Sequence, residues 1–552
     1  MSTEDAARPA TGRSAGTGAR EDLPRVERSG PGASPPPGER GEEVAGAGPG
    51  EQEAPRAPGR ARRQWIGLAL GPLLGALLFA VLPDGGGLTP EARITAALVV
   101  LVAVWWMTEA LPLAATALVP IVVFPLAGVV EIGTATAAYG EPTVFLFLGG
   151  FAIALAMQRW NLHQRIALVT VRAIGTKPTR LVLGIMVATA FLSMWVSNTA
   201  TALMMVPIGV SVLALIDREA GGTLSREDVQ HFGAGLMLAI AYAATIGGLG
   251  TLVGSPPNLI MAGLVQSTLD VEVSFAGWMA VGVPVAAVLL VLAWLLLTRV
   301  QYRPRIGEIA GGKETISAEL GKLGRMSAGE WTVAVVFAVT ALLWVFRQPL
   351  GDWTALTGAL PFVGRLSDAG IAIAALVALF LVPVRGQRGR AALDWSTLQK
   401  GVPWGVLLLF GGGLSMAAAI QESGLDEYIG QRFSGLSALP VVLLVAAVAL
   451  GILALTELTS NTATAATFLP VLAGIAGGVG IDPLLLLVPA AMAATCAFML
   501  PVGTPPNAIV FGTGRVTMGQ MIRSGVWLNL AAVVVLTAGV YALGPWALGI
   551  AF

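Results

Sequence analysis

The tripeptide Ser-Asn-Thr occurs twice in this chain, at residues 197–199 and 460–462, and both copies lie inside apolar stretches. A second polar cluster follows each copy, Gly-Ser-Pro-Pro-Asn at 254–258 and Gly-Thr-Pro-Pro-Asn at 503–507. A helix that breaks at such a cluster presents free carbonyls at one end and free N–H groups at the other, and in lipid both must find partners. Carbonyl ends favour a small hard cation, whereas N–H ends favour an anion. Each copy therefore predicts one cation site beside half of an anion site.

The ligands that these clusters offer are neutral oxygens and amides, which suit Na⁺ better than a transition metal. In the spans predicted below, no Arg or Lys lies at mid-membrane, so helix ends, hydroxyls and co-bound cations must balance a bound dianion. That arrangement predicts coupled binding of anion and cation. The alternative is that Ser, Thr and Gly only allow close helix packing. It explains one tripeptide well, but not two copies that are each followed by a matching Pro-Pro-Asn cluster.

The elements that must position these residues are membrane helices. Of the 552 residues, 55% are hydrophobic and 12% are charged, which predicts an all-α polytopic membrane protein with two re-entrant hairpins, two broken helices and about eleven transmembrane helices. Two apolar segments, 181–216 and 438–480, carry the tripeptides, and each is either one long helix or a hairpin. The other spans are predicted at 65–83, 93–110, 111–131, 143–158, 233–267, 276–298, 331–349, 368–384, 402–420, 484–513 and 526–548.

The distribution of basic residues decides between long helices and hairpins. With two hairpins and the N-terminus inside, nineteen of the Lys and Arg residues after position 63 fall on the cytoplasmic side, and only Arg93, Arg347, Arg365 and Arg432 fall outside. Cytoplasmic loops carry such an excess of positive charge. Because one full span would invert everything after it, the sequence predicts that the first hairpin enters from the cytoplasm and the second from outside. The C-terminus is then predicted to lie outside.

The repeat extends beyond the tripeptides. The run Val-Phe-Leu-Phe-Leu-Gly-Gly at 144–150 is similar to Val-Leu-Leu-Leu-Phe-Gly-Gly at 406–412. The two predicted repeats, about residues 143–267 and 402–513, each consist of a span, a hairpin and a broken span, and they begin on opposite sides of the membrane. Inverted repeats with interrupted helices are typical of secondary transporters.

Residues 1–63 differ in composition from the rest, being rich in Gly, Pro, Ala, Glu and Arg. They offer too little apolar surface for a packed core, which predicts a disordered cytoplasmic segment ahead of a transporter domain at 64–552. The formal net charge of the chain is zero, so the composition gives no indication of a nucleic-acid partner.

Few other residues could do chemistry at membrane depth. Glu457 lies near the second tripeptide and could carry a proton, assist a cation site or accept structural hydrogen bonds. The structural or tuning role is favoured, because a single carboxylate has no relay partner. Glu109 is predicted to cap a helix start, and Cys496, His163 and His231 are predicted to pack or to lie at the interface. This inventory argues against an intramembrane enzyme and calls for no cofactor.

Three sets of residues resemble the divalent anion–sodium symporter family, whose members carry di- and tricarboxylates and sulfate. They are both tripeptides, the Trp-Trp-x-Thr-Glu-Ala-x-Pro run at 105–112 and the run at 494–510, which resembles the family signature except that Thr495 stands where that pattern usually has Ser. The resemblance covers about residues 64–552. It implies a homodimer in the plasma membrane in which a transport domain moves like an elevator against a scaffold domain.

The resemblance also implies site residues. One Na⁺ site would use Ser193, Ser197, Asn198 and Gly254. The other would use Thr456, Thr459, Ser460, Asn461 and Gly503. Substrate carboxylates would meet Asn198, Thr199, Ser255, Asn461, Thr462, Thr504 and Pro505.

The predicted function is Na⁺-coupled symport of C4-dicarboxylates such as succinate, fumarate and malate. Dicarboxylate exchange and sulfate symport remain open, because relatives with the same motifs differ in these respects. A passive anion channel fits less well, since two half-sites that meet at one point suit alternating access better than an open pore.

Overall fold

The computed structural model describes residues 58–552 except 84, 86, 176, 220–224, 307–311 and 388, all within one compact unit, Gly48–Phe552. Over these residues the chain is helical and contains no strand, which confirms the predicted all-α class. Most of the segment predicted to be disordered lies outside the described residues. The first helix begins at Pro58, earlier than the predicted boundary at 64, and proline is well suited to a first helical position.

The N-terminal part contains five helices, α1 Pro58–Val81, α2 Pro90–Thr108, α3 Leu113–Thr116, α4 Val119–Leu126 and α5 Ile132–Ala137. The prediction of one continuous span at 111–131 is wrong. The chain forms two short helices there, because Pro120 is tolerated only in the first turn of a new helix. The prediction for Glu109 is also wrong, since this residue ends α2 in the left-handed conformation (φ 51°) instead of starting a helix.

The first repeat unit follows a 3₁₀ turn, Ala138–Gly140. Its helices are α6 Pro142–Arg159, α7 Leu162–Ile174, α8 Pro178–Ser193, α9 Asn198–Glu219, α10 Arg226–Gly247 and α11 Pro256–Leu269. The connection to the second unit contains α12 Phe275–Leu295 with a π-helical end at Leu296–Gln301, α13 Gly312–Lys322, α14 Ala328–Asp352, α15 Thr354–Ala359, a 3₁₀ turn at Val363–Arg365, α16 Asp368–Leu381 and α17 Trp395–Gly401.

The second unit has the same order of elements. Its helices are α18 Trp404–Glu422, α19 Leu425–Phe433, α20 Val441–Thr456, α21 Asn461–Val479, α22 Leu484–Thr495 and α23 Pro505–Gly512, with a 3₁₀ turn at Ser434–Ala438, and α24 Met518–Leu548 ends the chain. The predicted breaks near 254 and 503 are present, between α10 and α11 and between α22 and α23.

The first tripeptide segment is a hairpin in which α8 runs parallel to α10. Near their starts, Val182 and Gly235 line one small pocket. Near their ends, a Cβ built on Gly247 would lie 2.3 Å from the carbonyl oxygen of Ala190. The two helices therefore point in the same direction.

The second limb of that hairpin, α9, runs antiparallel to α10. A Cβ on Gly209, at the middle of α9, would meet Met237 at 2.7 Å, and a Cβ on Gly233, nearer the start of α10, would meet Leu213, later in α9, at 3.5 Å. Since α8 is parallel and α9 antiparallel to the same helix, the chain reverses direction between them.

The second tripeptide segment has the same form. Val441 and Leu485, at the starts of α20 and α22, line one pocket, and Thr456 and Ala494, at their ends, are hydrogen-bonded. These two helices are therefore parallel. Helix α21 packs along α22, and the turn at 480–483 connects the end of α21 to the start of α22. Helix α21 is therefore antiparallel to α20 and α22. The choice of hairpins over long helices agrees with this geometry.

Among the described residues, ten helical stretches are long and apolar enough to cross a membrane. Two of them, Asn198–Asp217 and Asn461–Val479, are second limbs of the hairpins. The others are Arg62–Val81, Pro90–Thr108, Ile132–Arg159, Arg226–Gly247, Phe275–Gln301, Ala328–Asp352, Trp404–Glu422 and Met518–Leu548. The deepest part of the core is formed by the broken helices, since every residue of α22 is buried.

The two units pack against each other through their broken helices. Helix α10 of the first unit lies on α23 of the second, and α11 lies on α22. Helices α7 and α19, which follow each Gly-Gly span and pack on α8 and α21, are not among the predicted spans. At the contact of α19 with α21, the backbones of Gly430 and Gly478 approach so closely that a Cβ on Gly478 would lie 2.0 Å from Gly430 Cα.

Candidate cation and anion site

Each hairpin tip is a sharp break between two helices. In the first, α8 ends at Ser193 and α9 begins at Asn198. In the second, α20 ends at Thr456 and α21 begins at Asn461. A break of this kind exposes carbonyls of the helix that ends and N–H groups of the helix that begins, so both types of group meet at each tip.

At the first tip, three oxygen atoms surround the side-chain amide of Asn198. The N–H₂ group of that amide donates to Ser193 Oγ at 2.7 Å, to the Ala244 carbonyl at 3.1 Å and to the Gly254 carbonyl at 3.3 Å. Ser193 Oγ is also 2.6 Å from the Ala244 carbonyl, and Ser193 is fully buried. The cluster thus joins the hairpin tip to both ends of the break between α10 and α11.

The second tip has a matching cluster around Asn461. Its N–H₂ group donates to Thr456 Oγ1 at 2.7 Å, to the Ala494 carbonyl at 3.2 Å and to the Gly503 carbonyl at 3.1 Å. Thr456 Oγ1 is 2.7 Å from the Ala494 carbonyl, and Thr456 is fully buried. The positions of the three oxygens and the amide in the chain repeat those of the first cluster, one unit later.

The chemistry of these clusters fits a small cation. The hydroxyl of Ser193 or Thr456 has one hydrogen, which can reach one of its neighbours, and the other oxygens carry none. Each cluster is therefore stable if the asparagine amide turns its N–H₂ inward or if a cation lies among the oxygens. Over the described residues, no group of three His, Cys, Asp or Glu side chains could hold a metal ion, so the cation favoured is one that accepts neutral oxygen ligands, such as Na⁺.

Three of the residues assigned to the cation sites by resemblance have their side chains directed elsewhere. The hydroxyls of Ser197 and Ser460 accept hydrogen bonds from Ala200 N at 3.3 Å and Ala463 N at 3.5 Å, and so cap α9 and α21. The hydroxyl of Thr459 bonds to the Leu455 carbonyl at the end of α20 and to Thr464 Oγ1, at 2.8 and 2.7 Å. The oxygen clusters described above do not include these hydroxyls.

The residues predicted to touch substrate lie at the starts of helices. Thr199 and Thr462 are the second residues of α9 and α21 and are half-buried. Ser255 and Thr504 precede α11 and α23 and are buried, whereas Pro505 is exposed. Four helix N-termini therefore carry these residues, and helix N-termini favour anions.

A hydrogen bond joins the two units beside the oxygen clusters. Ser255 Oγ, from the first unit, lies 2.9 Å from Thr495 Oγ1 of the second, and both residues are buried. Thr495 is the position where the sequence departs from the family pattern. Its hydroxyl thus has a partner in the other unit, a pairing that the sequence of neither cluster predicts.

The Pro-Pro-Asn clusters serve the site by bracing its backbone. Asn258 Nδ2 donates to the carbonyls of Gly248 and Thr251, at 2.9 and 2.8 Å. Asn507 Nδ2 donates to those of Ala497 and Leu500, both at 3.0 Å. Both asparagines are fully buried. The breaks therefore have defined shapes, because their free carbonyls are bound by side chains of the following helix.

The surroundings of the two tips differ. Beside the first tip, Trp195 stacks on Phe275 and Trp344, with ring centroids 6.0 and 6.4 Å apart, and meets Phe337 edge-on at 5.0 Å. Beside the second tip, the carboxylate of Glu457 is 4% exposed and accepts backbone hydrogen bonds. Aromatic packing thus holds the first tip, and a carboxylate holds the second.

These features define a polytopic membrane carrier. They are the membrane-length helices, the two broken helices and the two clusters that the hydrogen bond between Ser255 and Thr495 brings together. A model for the sodium:sulfate symporter transmembrane region matches residues 63–547. The chain belongs to this family, whose members are transporters and not enzymes.

Two relatives show the same relationship over most of the chain. The sodium-dependent dicarboxylate transporter SdcS of Staphylococcus saprophyticus is 44% identical over 490 residues, which cover 88% of this chain and 92% of that protein. The protein of the same name from Staphylococcus aureus strain USA300 is 43% identical over 488 residues, with the same coverage. Among solved structures, the Alcanivorax borkumensis YdaH transporter matches 89% of this chain and all of its own with a TM-score of 0.52 and 17% identity, a likeness of fold alone.

Proposed function

We propose that the protein is a sodium-coupled symporter that carries C4-dicarboxylates such as succinate, fumarate and malate into the cell. The observation that carries this proposal is the pair of matching oxygen clusters around Asn198 and Asn461. The hydroxyl and the two carbonyls of each cluster are neutral oxygens, and the asparagine amide can rotate to add its Oδ1, so each cluster suits Na⁺. The staphylococcal relatives, named sodium-dependent dicarboxylate transporters, support the same substrate class.

Na⁺ bound at the two clusters would supply positive charge that the side chains of the site do not have. The hydroxyls of Thr199 and Thr462 have no hydrogen bond to another described residue, and they lie beside the N–H groups at the starts of α9 and α21. A carboxylate could accept from both. With Na⁺ bound one helical turn away, the dianion would be neutralised by co-bound cations, so that each ligand raises the affinity for the other by the same factor.

We further infer that the two units have inverted topology, with the N-terminus in the cytoplasm and the C-terminus outside. The packing of α10 on α23 and of α11 on α22 supports this, because antiparallel broken helices bring opposite halves together. The excess of basic residues in the loops assigned to the cytoplasm supports the orientation. An elevator-like movement of a transport domain, and a homodimer in the plasma membrane, are proposed from the family resemblance.

The proposal predicts that succinate uptake into proteoliposomes depends on an inward Na⁺ gradient. If more than two Na⁺ accompany each dianion, an inside-negative potential adds about 2.3 kcal/mol per net charge per 100 mV. The measurement is uptake of labelled succinate under imposed Na⁺, H⁺ and voltage gradients, with labelled sulfate in parallel. Uptake that ignores Na⁺ but is driven by succinate loaded on the opposite side would identify an exchanger, and uptake of sulfate alone would identify a sulfate carrier.

Removing one oxygen from a cluster should weaken Na⁺ more than it changes substrate selectivity. Ser193→Ala and Thr456→Ala each delete a hydroxyl that contacts the cation cluster, and we expect the Na⁺ concentration for half-maximal uptake to rise about tenfold, the effect of roughly 1.4 kcal/mol. The measurement is uptake against Na⁺ concentration at saturating succinate. Thr456→Ser is the matched control, since it keeps the hydroxyl. An unchanged Na⁺ dependence in both alanine variants would contradict the assignment of the clusters.

A further inference from the structure

Glu457 is held by four hydrogen bonds from the protein. Its Oε1 accepts from Phe498 N at 2.8 Å, from Met499 N at 2.9 Å and from Asn529 Nδ2 at 2.7 Å. Its Oε2 accepts from Leu500 N at 3.0 Å. All four bonds are donated to the carboxylate, and none requires an O–H on Glu457, so the acceptor-only, ionised form satisfies every one of them.

The first unit has no equivalent of this carboxylate. Ser193 and Thr456 occupy matching places, so the residue that corresponds to Glu457 is Met194. In the first unit, Leu249 and Gly250 close their own turn by donating to backbone carbonyls, at 3.1 and 3.0 Å. The two tips therefore differ in charge as well as in hydrogen bonding, because the second tip contains Glu457 where the first contains Met194.

The carboxylate lies directly behind the second oxygen cluster. A Cβ built on Gly503 would be 3.1 Å from Glu457 Oε2, and the carbonyl of Gly503 is 3.1 Å from the side-chain amide of Asn461. The negative charge is thus a few ångströms from the proposed cation position, in a buried place where charges are weakly screened. Glu457 donates no hydrogen bond to the cluster. It would therefore act on the cation through the electrostatic field of its carboxylate and through the position of the loop whose N–H groups it binds.

We propose that Glu457 is a positioning residue that makes the two cation sites unequal, so that the second site binds Na⁺ more tightly than the first. This inference rests on the proposed function. It also assigns an order of filling: the second site fills at lower Na⁺ concentration, and the first site, without a fixed charge, fills at higher Na⁺ concentration and gains more affinity from the substrate dianion.

The test is Na⁺ binding without substrate. Purified protein is titrated with NaCl against choline chloride at constant ionic strength, and the midpoint of thermal unfolding is followed, because a ligand that binds the folded state raises it. Glu457→Gln should weaken the tighter phase of Na⁺ stabilisation about tenfold. Asn529→Leu is the matched control: it removes one donor to the same oxygen but keeps the charge, so it should lower the midpoint at all Na⁺ concentrations and leave the Na⁺ dependence unchanged.

A second comparison needs no change at Glu457. Thr456→Ala should remove the tighter phase, whereas Ser193→Ala should remove the weaker one. If Glu457→Gln and Asn529→Leu lower the unfolding midpoint alike and neither alters Na⁺ binding, or if Ser193→Ala removes the tighter phase, the inference is overturned. If the wild-type protein shows no Na⁺-dependent stabilisation at all, the proposed function itself fails, which is a different result.

Discussion

Asn198→Ala and Asn461→Ala are each expected to abolish uptake of succinate, with a fall of about a hundredfold or more in the initial rate. Each asparagine amide is the centre of a cluster that includes two backbone carbonyls, from Ala244 and Gly254 or from Ala494 and Gly503. Truncation removes the cation ligand and leaves buried carbonyls without a partner, and unpartnered groups are costly in a membrane interior. The measurement is uptake per unit of folded, monodisperse protein in the membrane.

The control for this experiment is on the same helix. Ser211 of α9 is exposed, and among the described residues its hydroxyl bonds to the Pro207 carbonyl alone, one turn earlier. Ser211→Ala should therefore transport at the wild-type rate. Normal transport by either asparagine variant would be incompatible with a model in which both hairpin tips bind the cations.

Gly478→Ala is expected to destabilise the fold severely. The new Cβ would lie 2.0 Å from Gly430 Cα and would force α19 away from α21. Overpacking of this kind costs about 3 kcal/mol where neither backbone can yield. We expect a large fall in the yield of monodisperse protein and in the midpoint of thermal unfolding, measured in detergent by tryptophan fluorescence.

The neighbouring residue supplies the matched control. Gly477 is exposed, and a Cβ built on it would meet nothing within 4 Å. Gly477→Ala should leave the protein as stable as the wild type or slightly more stable, because alanine favours a helix by up to about 1 kcal/mol relative to glycine. Equal stability of the two alanine variants would show that the contact between α19 and α21 is not close in the folded protein.

The hairpin tips could be predicted from the sequence, because a polar tripeptide inside an apolar run is a local signal and its duplication marks both copies. Ser193 and Thr456 could also be placed, one helical turn before each tip. The carbonyls of Ala244 and Ala494 could not, since any residue supplies a backbone carbonyl and neither alanine has a distinguishing side chain.

Other features depended on tertiary packing. The spacing of Thr459 from the tip did not show that its hydroxyl turns to Thr464. The span predicted at 111–131 was placed by hydropathy alone, which does not reveal where prolines restart a helix. Glu457 could be identified as a buried acid, but its three backbone donors come from a loop about forty residues later in the chain.

The hydrogen bond between Ser255 and Thr495 has a consequence for the route of release. A solute held between the tips could leave by separation of the two units only after that bond was broken and buried hydroxyls were exposed. If the solute left without that separation, the two units would move together as one body. They would then slide against the lipid and against the helices outside the units. Bilayer thickness, which acts at such a boundary through hydrophobic mismatch, should therefore alter the turnover rate while leaving the equilibrium affinity for the solute almost unchanged.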